Sequence, residues 1–177
     1  YQCEKAAHGT PSGVDNTVAT FGTPLFYQKV DDQPTFEEIK IGQPIELVVG
    51  ITGLESLTAE TVAKVRRAWK HSPERYESLF DQIAQLTTSS LECLKTGKVE
   101  ELGELMNLCH GYLNALQLST PELEELVHIA RTHGALGAKL TGGGGGGSMI
   151  ALCQDNKEEI QEAMHKAGYQ TLPYTIS

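Results

Sequence analysis

No apolar run in this chain is long enough to cross a bilayer. Met149-Ile150-Ala151-Leu152-Cys153 has the length of a strand, whereas a spanning helix needs about 20 residues. A basic surplus is missing too. Fourteen Lys and Arg stand against 23 Asp and Glu, a formal net charge of -9, which argues against a nucleic-acid or anionic-membrane binder. Cysteine is sparse: Cys3, Cys93, Cys109 and Cys153 are scattered without a CxxC pair. That pattern builds neither a zinc site nor a disulfide framework and reads as the reduced thiols of an intracellular, cytoplasmic protein. Aromatic residues make up only 6% of the chain, and the lone tryptophan, Trp69, reads as a packing residue rather than a platform for a ligand. The opening YQCEKAAHG has neither a basic n-region nor an apolar h-region, so it is no signal peptide. Because it begins with Tyr1, the chain is expected to be part of a longer one.

What remains is a soluble globular protein of 177 residues, 40% hydrophobic and 21% charged. It is long enough for one well-buried core, with room for a second smaller lobe. Glycine is the outstanding residue. Six stand together, Gly142 to Gly147, inside AKLTGGGGGGSMIAL. No helix or strand interior tolerates such a run. It is expected to turn between two ordered elements: a helical pattern ending in Ala138-Lys139-Leu140-Thr141, and a buried strand from Ser148 to Cys153. Such turns admit close backbone approach, and their clustered N–H groups can form anion-binding concavities. A flexible tether is the alternative.

In chain order, Glu4 to Ala7 suit a helix end. GTPSGVDN, from Gly9, is then a loop. On the residues alone this loop is a turn with a cap at Ser12 or Asp15; the functional alternative is a carboxylate, Asp15, on a shaped loop with Glu4 upstream. Three strands in a meander are predicted over Thr17–Tyr27, Thr35–Ile41 and Ile45–Ile51. Helices follow: one capped by Thr58 and broken at Ser72-Pro73, one over 73–95 ending at Gly97, one over 98–116, and one starting at Thr120-Pro121. After the glycines come the Ser148–Cys153 strand, a helix over 157–167, and a last strand over 169–176 that Pro173 marks as an edge. Separate runs of strands and helices give an α+β fold.

Three blocks resemble a known family. HGTPSGVDNTVATFG, His8 to Gly22, resembles the catalytic-aspartate loop of mevalonate kinases. GALGAKLTGGGGGGSMIAL, Gly134 to Leu152, resembles the third signature of the GHMP kinases, and MNLCHGYLNALQLSTPELEELVHIAR, Met106 to Arg131, resembles the helical pair before it. The resemblance spans nearly the whole chain. Gly143 stands where alanine is common and Ser148 where cysteine is common. The glycine–serine loop that cradles ATP phosphates and an assisting lysine, both features of the family, are not in these residues.

The resemblance implies a C-terminal GHMP kinase domain, an antiparallel sheet with a helical layer and ferredoxin-like elements. It divides the chain at residue 30, with residues 1–30 closing the catalytic-aspartate region and 31–177 forming the C-terminal domain. It implies ATP-dependent phosphorylation of the mevalonate 5-hydroxyl to 5-phosphomevalonate, a step of isoprenoid biosynthesis. Another GHMP kinase, such as a phosphomevalonate kinase served by the basic cluster Lys64, Arg66, Arg67 and Lys70, or a non-catalytic module of the same fold, are the alternatives. By the same resemblance Asp15 is the catalytic residue and Glu4 a Mg²⁺ ligand. His8, Ser12, Gly13 and Thr141 lie near substrate, and Gly142, Gly143, Gly144, Gly145 and Gly146 shape the phosphate site. Lys139 is read as a solvated helix-end cation. ATP is the co-substrate, the N-terminal half the missing partner, and a homodimer the expected assembly.

Overall fold

The computed structural model describes residues 13–30, 33–56 and 58–177. Its centre is a four-stranded antiparallel sheet in the order β4-β5-β3-β6, formed by β3 (Ile45–Ile51), β4 (Gly137–Thr141), β5 (Ser148–Cys153) and β6 (Gln170–Ile176). The near-continuous apolar run of β3, IELVVGI, suits a strand covered on both faces. One face carries Val48, Met149 and Ala151 against Leu123, Leu126 and Ile160. These last come from α5 (Pro121–Thr132) and α6 (Lys157–Lys166). The other face carries Ile45 and Leu152 against Cys93, Leu102 and Met106, contributed by α3 (Pro73–Thr96) and α4 (Val99–Ala115). Helices therefore cover both faces, and each fully buried Leu or Met contributes about 1.5–3 kcal/mol of apolar burial.

The helix punctuation follows the sequence closely. Pro73 occupies the first turn of α3 after the N-cap Ser72, and Gly97 closes that helix at φ 72°. Thr120 Oγ1 accepts the Leu123 N–H at the start of α5. The helix α2 (Thr58–His71) includes Thr58 as its first residue rather than as its cap. Trp69 packs edge-on against Phe80, with ring centroids 6.2 Å apart, as expected of a packing residue.

Two elements differ from expectation. The β-branched stretch predicted as a strand over Thr17–Tyr27 begins as a helix, α1 (Val14–Phe21), and only then becomes β1 (Leu25–Val30). Gly13 and Gly22 bracket that helix at φ 86° and 67°, and the Thr17 hydroxyl donates to the Gly13 carbonyl at 2.7 Å. The glycine caps outweigh a β-branched helix penalty that is below about 0.7 kcal/mol per residue. Among the described residues β1 pairs only with β2 (Gln33–Glu38), as a separate two-stranded sheet, so the three-strand meander is not formed: β3 belongs to the main sheet. Likewise Ala138–Thr141, expected to end a helix, is β4. Gly134 takes φ 83° just after α5, and the five residues that follow Leu136 pair with β5 instead.

Candidate functional site

β4 and β5 meet at their last rung, Thr141 opposite Ser148, and Gly142–Gly147 close the hairpin. The run is an ordered turn, not a tether. Its backbone is tied on several sides. The Gly145 N–H donates to the Leu118 carbonyl at 2.8 Å and the Gly147 N–H to the Leu54 carbonyl at 3.0 Å. The Gly144 carbonyl accepts from Ser56 Oγ at 2.7 Å. The Gly147 carbonyl accepts from both the N–H and the hydroxyl of Thr52, at 2.9 and 2.8 Å. Space is as restrictive as bonding. A Cβ at Gly144 would lie 2.3 Å from the Leu118 carbonyl oxygen, and one at Gly145 2.7 Å from Thr61 Oγ1. Close backbone approach, the expected role of the run, is thus made to neighbouring segments of the same domain. The N–H groups of Gly145 and Gly147 already have protein acceptors, which withdraws them from the anion-binding concavity the glycines suggested.

Of the other sequence candidates, Thr141 lies half-buried at the mouth of this turn. Gly13 is buried and caps α1. Asp15 falls in the first turn of α1, and its side chain lies outside the described residues, as do Glu4, His8 and Ser12 altogether. Among the described residues no group of three or more His, Cys, Asp or Glu could hold a metal ion. Glu4, the expected magnesium ligand, lies outside those residues. Lys64, Arg66, Arg67 and Lys70 are all exposed along α2.

Lys139 is not a solvated helix-end cation. It sits within β4, half-buried, with Nζ donating to the Leu140 carbonyl at 2.8 Å. Burial pulls its ammonium below the ordinary lysine range.

Side chains that no motif in the sequence marks hold the open edge of β4. Asn107 Oδ1 accepts the Ala138 N–H at 3.0 Å and the Arg131 Nε–H at 2.7 Å. Arg131 Nη2 returns a bond to the Ala138 carbonyl at 2.9 Å. The Leu140 N–H donates to His110 Nδ1 at 3.2 Å, and His110 Nε2 lies 3.0 Å from Glu124 Oε1. An acceptor at Nδ1 fixes the tautomer: the proton sits on Nε2 and points at Glu124. His110 is 3% exposed. Burial chiefly, with Arg131 and Lys139, lowers its pKa from the usual histidine value, against the opposing pull of Glu124. A signal for His110 was available. It shares the buried stripe of α4 with Leu102, Gly103 and Met106, and a titratable residue on a core stripe requires a dedicated partner.

Residues 90–170 match the family described as GHMP kinases C terminal. The chain carries a GHMP kinase C-terminal domain. It is 41% identical over 173 residues to a mevalonate kinase of Pyrococcus abyssi, covering 95% of this chain and 50% of that protein. It is 35% identical to L. major mevalonate kinase, whose crystal structure in complex with R-mevalonate superposes with a TM-score of 0.90 over 98% of this chain and 55% of that one. A phosphomevalonate kinase of Streptococcus pneumoniae, at 19% identity and TM-score 0.80, shares the fold. The chain spans about half the length of the curated mevalonate kinases it matches. The antiparallel sheet and helices of this GHMP kinase domain agree with the expected α+β class, and no helix among the described residues is long and apolar enough to cross a membrane.

Proposed function

We propose that this chain is the C-terminal portion of a mevalonate kinase, which transfers the γ-phosphoryl group of ATP to the 5-hydroxyl of mevalonate. The observation that carries the reading is the 0.90 superposition at 35% identity on a relative whose structure holds R-mevalonate. The phosphomevalonate reading has weaker support: its structural relative is 19% identical, and the basic residues of α2 lie along a solvated face.

Phosphoryl transfer asks the protein for positioning and for charge stabilisation more than for covalent chemistry. In this proposal the Asp15 carboxylate accepts the proton of the attacking hydroxyl or orients its oxygen. His8, Ser12, Gly13 and Thr141 border the substrate. The ordered turn of Gly142 to Gly146 meets the phosphate-binding loop of an N-terminal half. Magnesium, held by Glu4 together with nucleotide phosphates and water, would supply charge neutralisation. A cytoplasmic homodimer completes the proposal.

A coupled ADP-release assay with ATP and mevalonate, run on the longest form of the protein that carries these residues, tests it. Mevalonate-dependent ADP release is expected, with no release for phosphomevalonate; the reverse preference would overturn the substrate. In the same form Asp15→Asn is expected to lower kcat by about 10²-fold or more, the usual worth of a positioned base, with the circular dichroism spectrum unchanged. Turnover near that of the unsubstituted protein would remove Asp15 from the mechanism.

A further inference from the structure

β4 is an edge strand, yet the Ala138 and Leu140 backbone groups on its open side all have partners. Asn107 and Arg131 take the N–H and carbonyl of Ala138; His110 and Lys139 take those of Leu140. Two of these side chains belong to α4, which runs alongside the strand in the same direction. At the upstream end the two backbones nearly touch: a Cβ on Gly137 would lie 2.1 Å from the Gly103 carbonyl oxygen. From Gly103 to His110 is seven helical residues, a rise of about 10.5 Å. From Gly137 to Leu140 is three strand residues, about 10 Å. Helix and strand advance together from the 103–137 approach to the 110–140 bond, with Asn107 between them bonded to both Leu136 and Ala138. The segment after α4 then reaches the turn itself, where the Leu118 carbonyl accepts the Gly145 N–H.

Of these contacts, the one nearest the turn is the His110 bond, two residues before Gly142. It is made by a single nitrogen lone pair inside the protein. An orphaned N–H at a buried strand position is costly, so loss of that acceptor forces the strand end to shift.

We propose that His110 is a positioning residue for the glycine turn: its Nδ1, by accepting the Leu140 N–H, fixes the end of β4 from which the turn departs. The catalytic consequence rests on the kinase reading given above; the structural one does not.

The test compares His110→Leu, which removes the acceptor, with His110→Asn, whose side-chain oxygen reaches the place of Nδ1. Amide hydrogen exchange is read at Leu140, Gly145 and Gly147, and kcat and KM for ATP and mevalonate are measured on the longest form carrying these residues. In His110→Leu these amides are expected to exchange about tenfold faster or more, while protection in α6 and β6 is retained. kcat per folded molecule should fall about tenfold with KM for mevalonate changed less than twofold. His110→Asn should restore both readouts most of the way. Unchanged exchange at these amides in His110→Leu would overturn the positioning role, as would failure of His110→Asn to recover what His110→Leu loses. If His110→Leu does not fold, His110→Asn alone decides: near-normal exchange and kcat support the acceptor role, and loss of both overturns it. If even the unsubstituted protein shows no turnover, the kinase reading fails while the exchange measurement still judges the positioning role.

Discussion

Gly142 and Gly144 share a backbone torsion, φ 74° and 72°, and differ in what surrounds them. A Cβ at Gly142 would meet nothing within 4 Å, whereas one at Gly144 would lie 2.3 Å from a backbone oxygen. Gly142→Ala should therefore cost only the left-handed torsion, about 1–2 kcal/mol. Gly144→Ala adds a collision to the same torsion and should cost about 3 kcal/mol or more. Urea midpoints of the two variants check this, and equal losses would show that torsion alone governs the turn. Such residue identities explain why part of the site was legible in the sequence. A six-glycine run declares an unusual backbone whatever surrounds it. His110 and Asn107 declared nothing comparable, because what they do depends on a strand that comes about 30 residues later and whose own state was misread. Lys139 was misread for the same reason, since a strand interior buries what a helix end would expose.

At the scale of elements, α4 contains two glycines in opposite circumstances. A Cβ at Gly103 would sit 2.6 Å from the Leu136 carbonyl group, while one at Gly111 would meet nothing within 4 Å. Gly103→Ala should force α4 away from β4 and cost about 1–3 kcal/mol. Gly111→Ala, in the same helix, should gain up to about 1 kcal/mol through helix propensity. Thermal unfolding of the pair measures the helix–strand contact against an internal control, and a neutral Gly103→Ala would mean that the contact relaxes without cost. Most helices were legible because their boundaries are written in local chemistry: Ser72-Pro73, Gly97, Thr120-Pro121. The misread elements were short. The four residues from Ala138 carry no decisive period, and only pairing with β5 settles their state. In α1, β-branched residues pointed to a strand, but the glycines at either end settled for a helix. The sheet order was not legible, because β3 finds its partners about 100 residues downstream.

For the whole molecule, the titratable groups give acid sensitivity a direction. His110 faces Glu124 and Arg131 on α5 and Lys139 on β4, and its folded pKa lies below its ordinary 6.5. The unfolded chain therefore binds that proton first as pH falls. The stability His110 contributes is complete above about pH 6.5 and is lost as pH drops through the lowered folded value. Glu46 follows at lower pH. Hydrogen bonds from Lys157 and Thr175 hold its carboxyl below 4.5, so its contribution is present above that value and lost beneath it. The melting temperature should thus decline in two stages below about pH 6.5, and His110→Asn should remove the first. A single decline confined to pH below 4.5 would show that His110 does not titrate with unfolding.

The two margins of the sheet are guarded by different means. β4 is sealed by side chains, but β6 leaves Leu172 and Tyr174 58% and 61% exposed on either side of Pro173. An open strand with apolar side chains is a template for self-association, and a proline blunts it by deleting a donor from the row. Pro173→Thr restores that donor. The expected result is a protein that remains folded when dilute and scatters light when concentrated, with a threshold that falls as the sample is warmed. If the substituted protein stays clear at concentrations where the unsubstituted one does, Pro173 has no part in keeping neighbouring molecules apart.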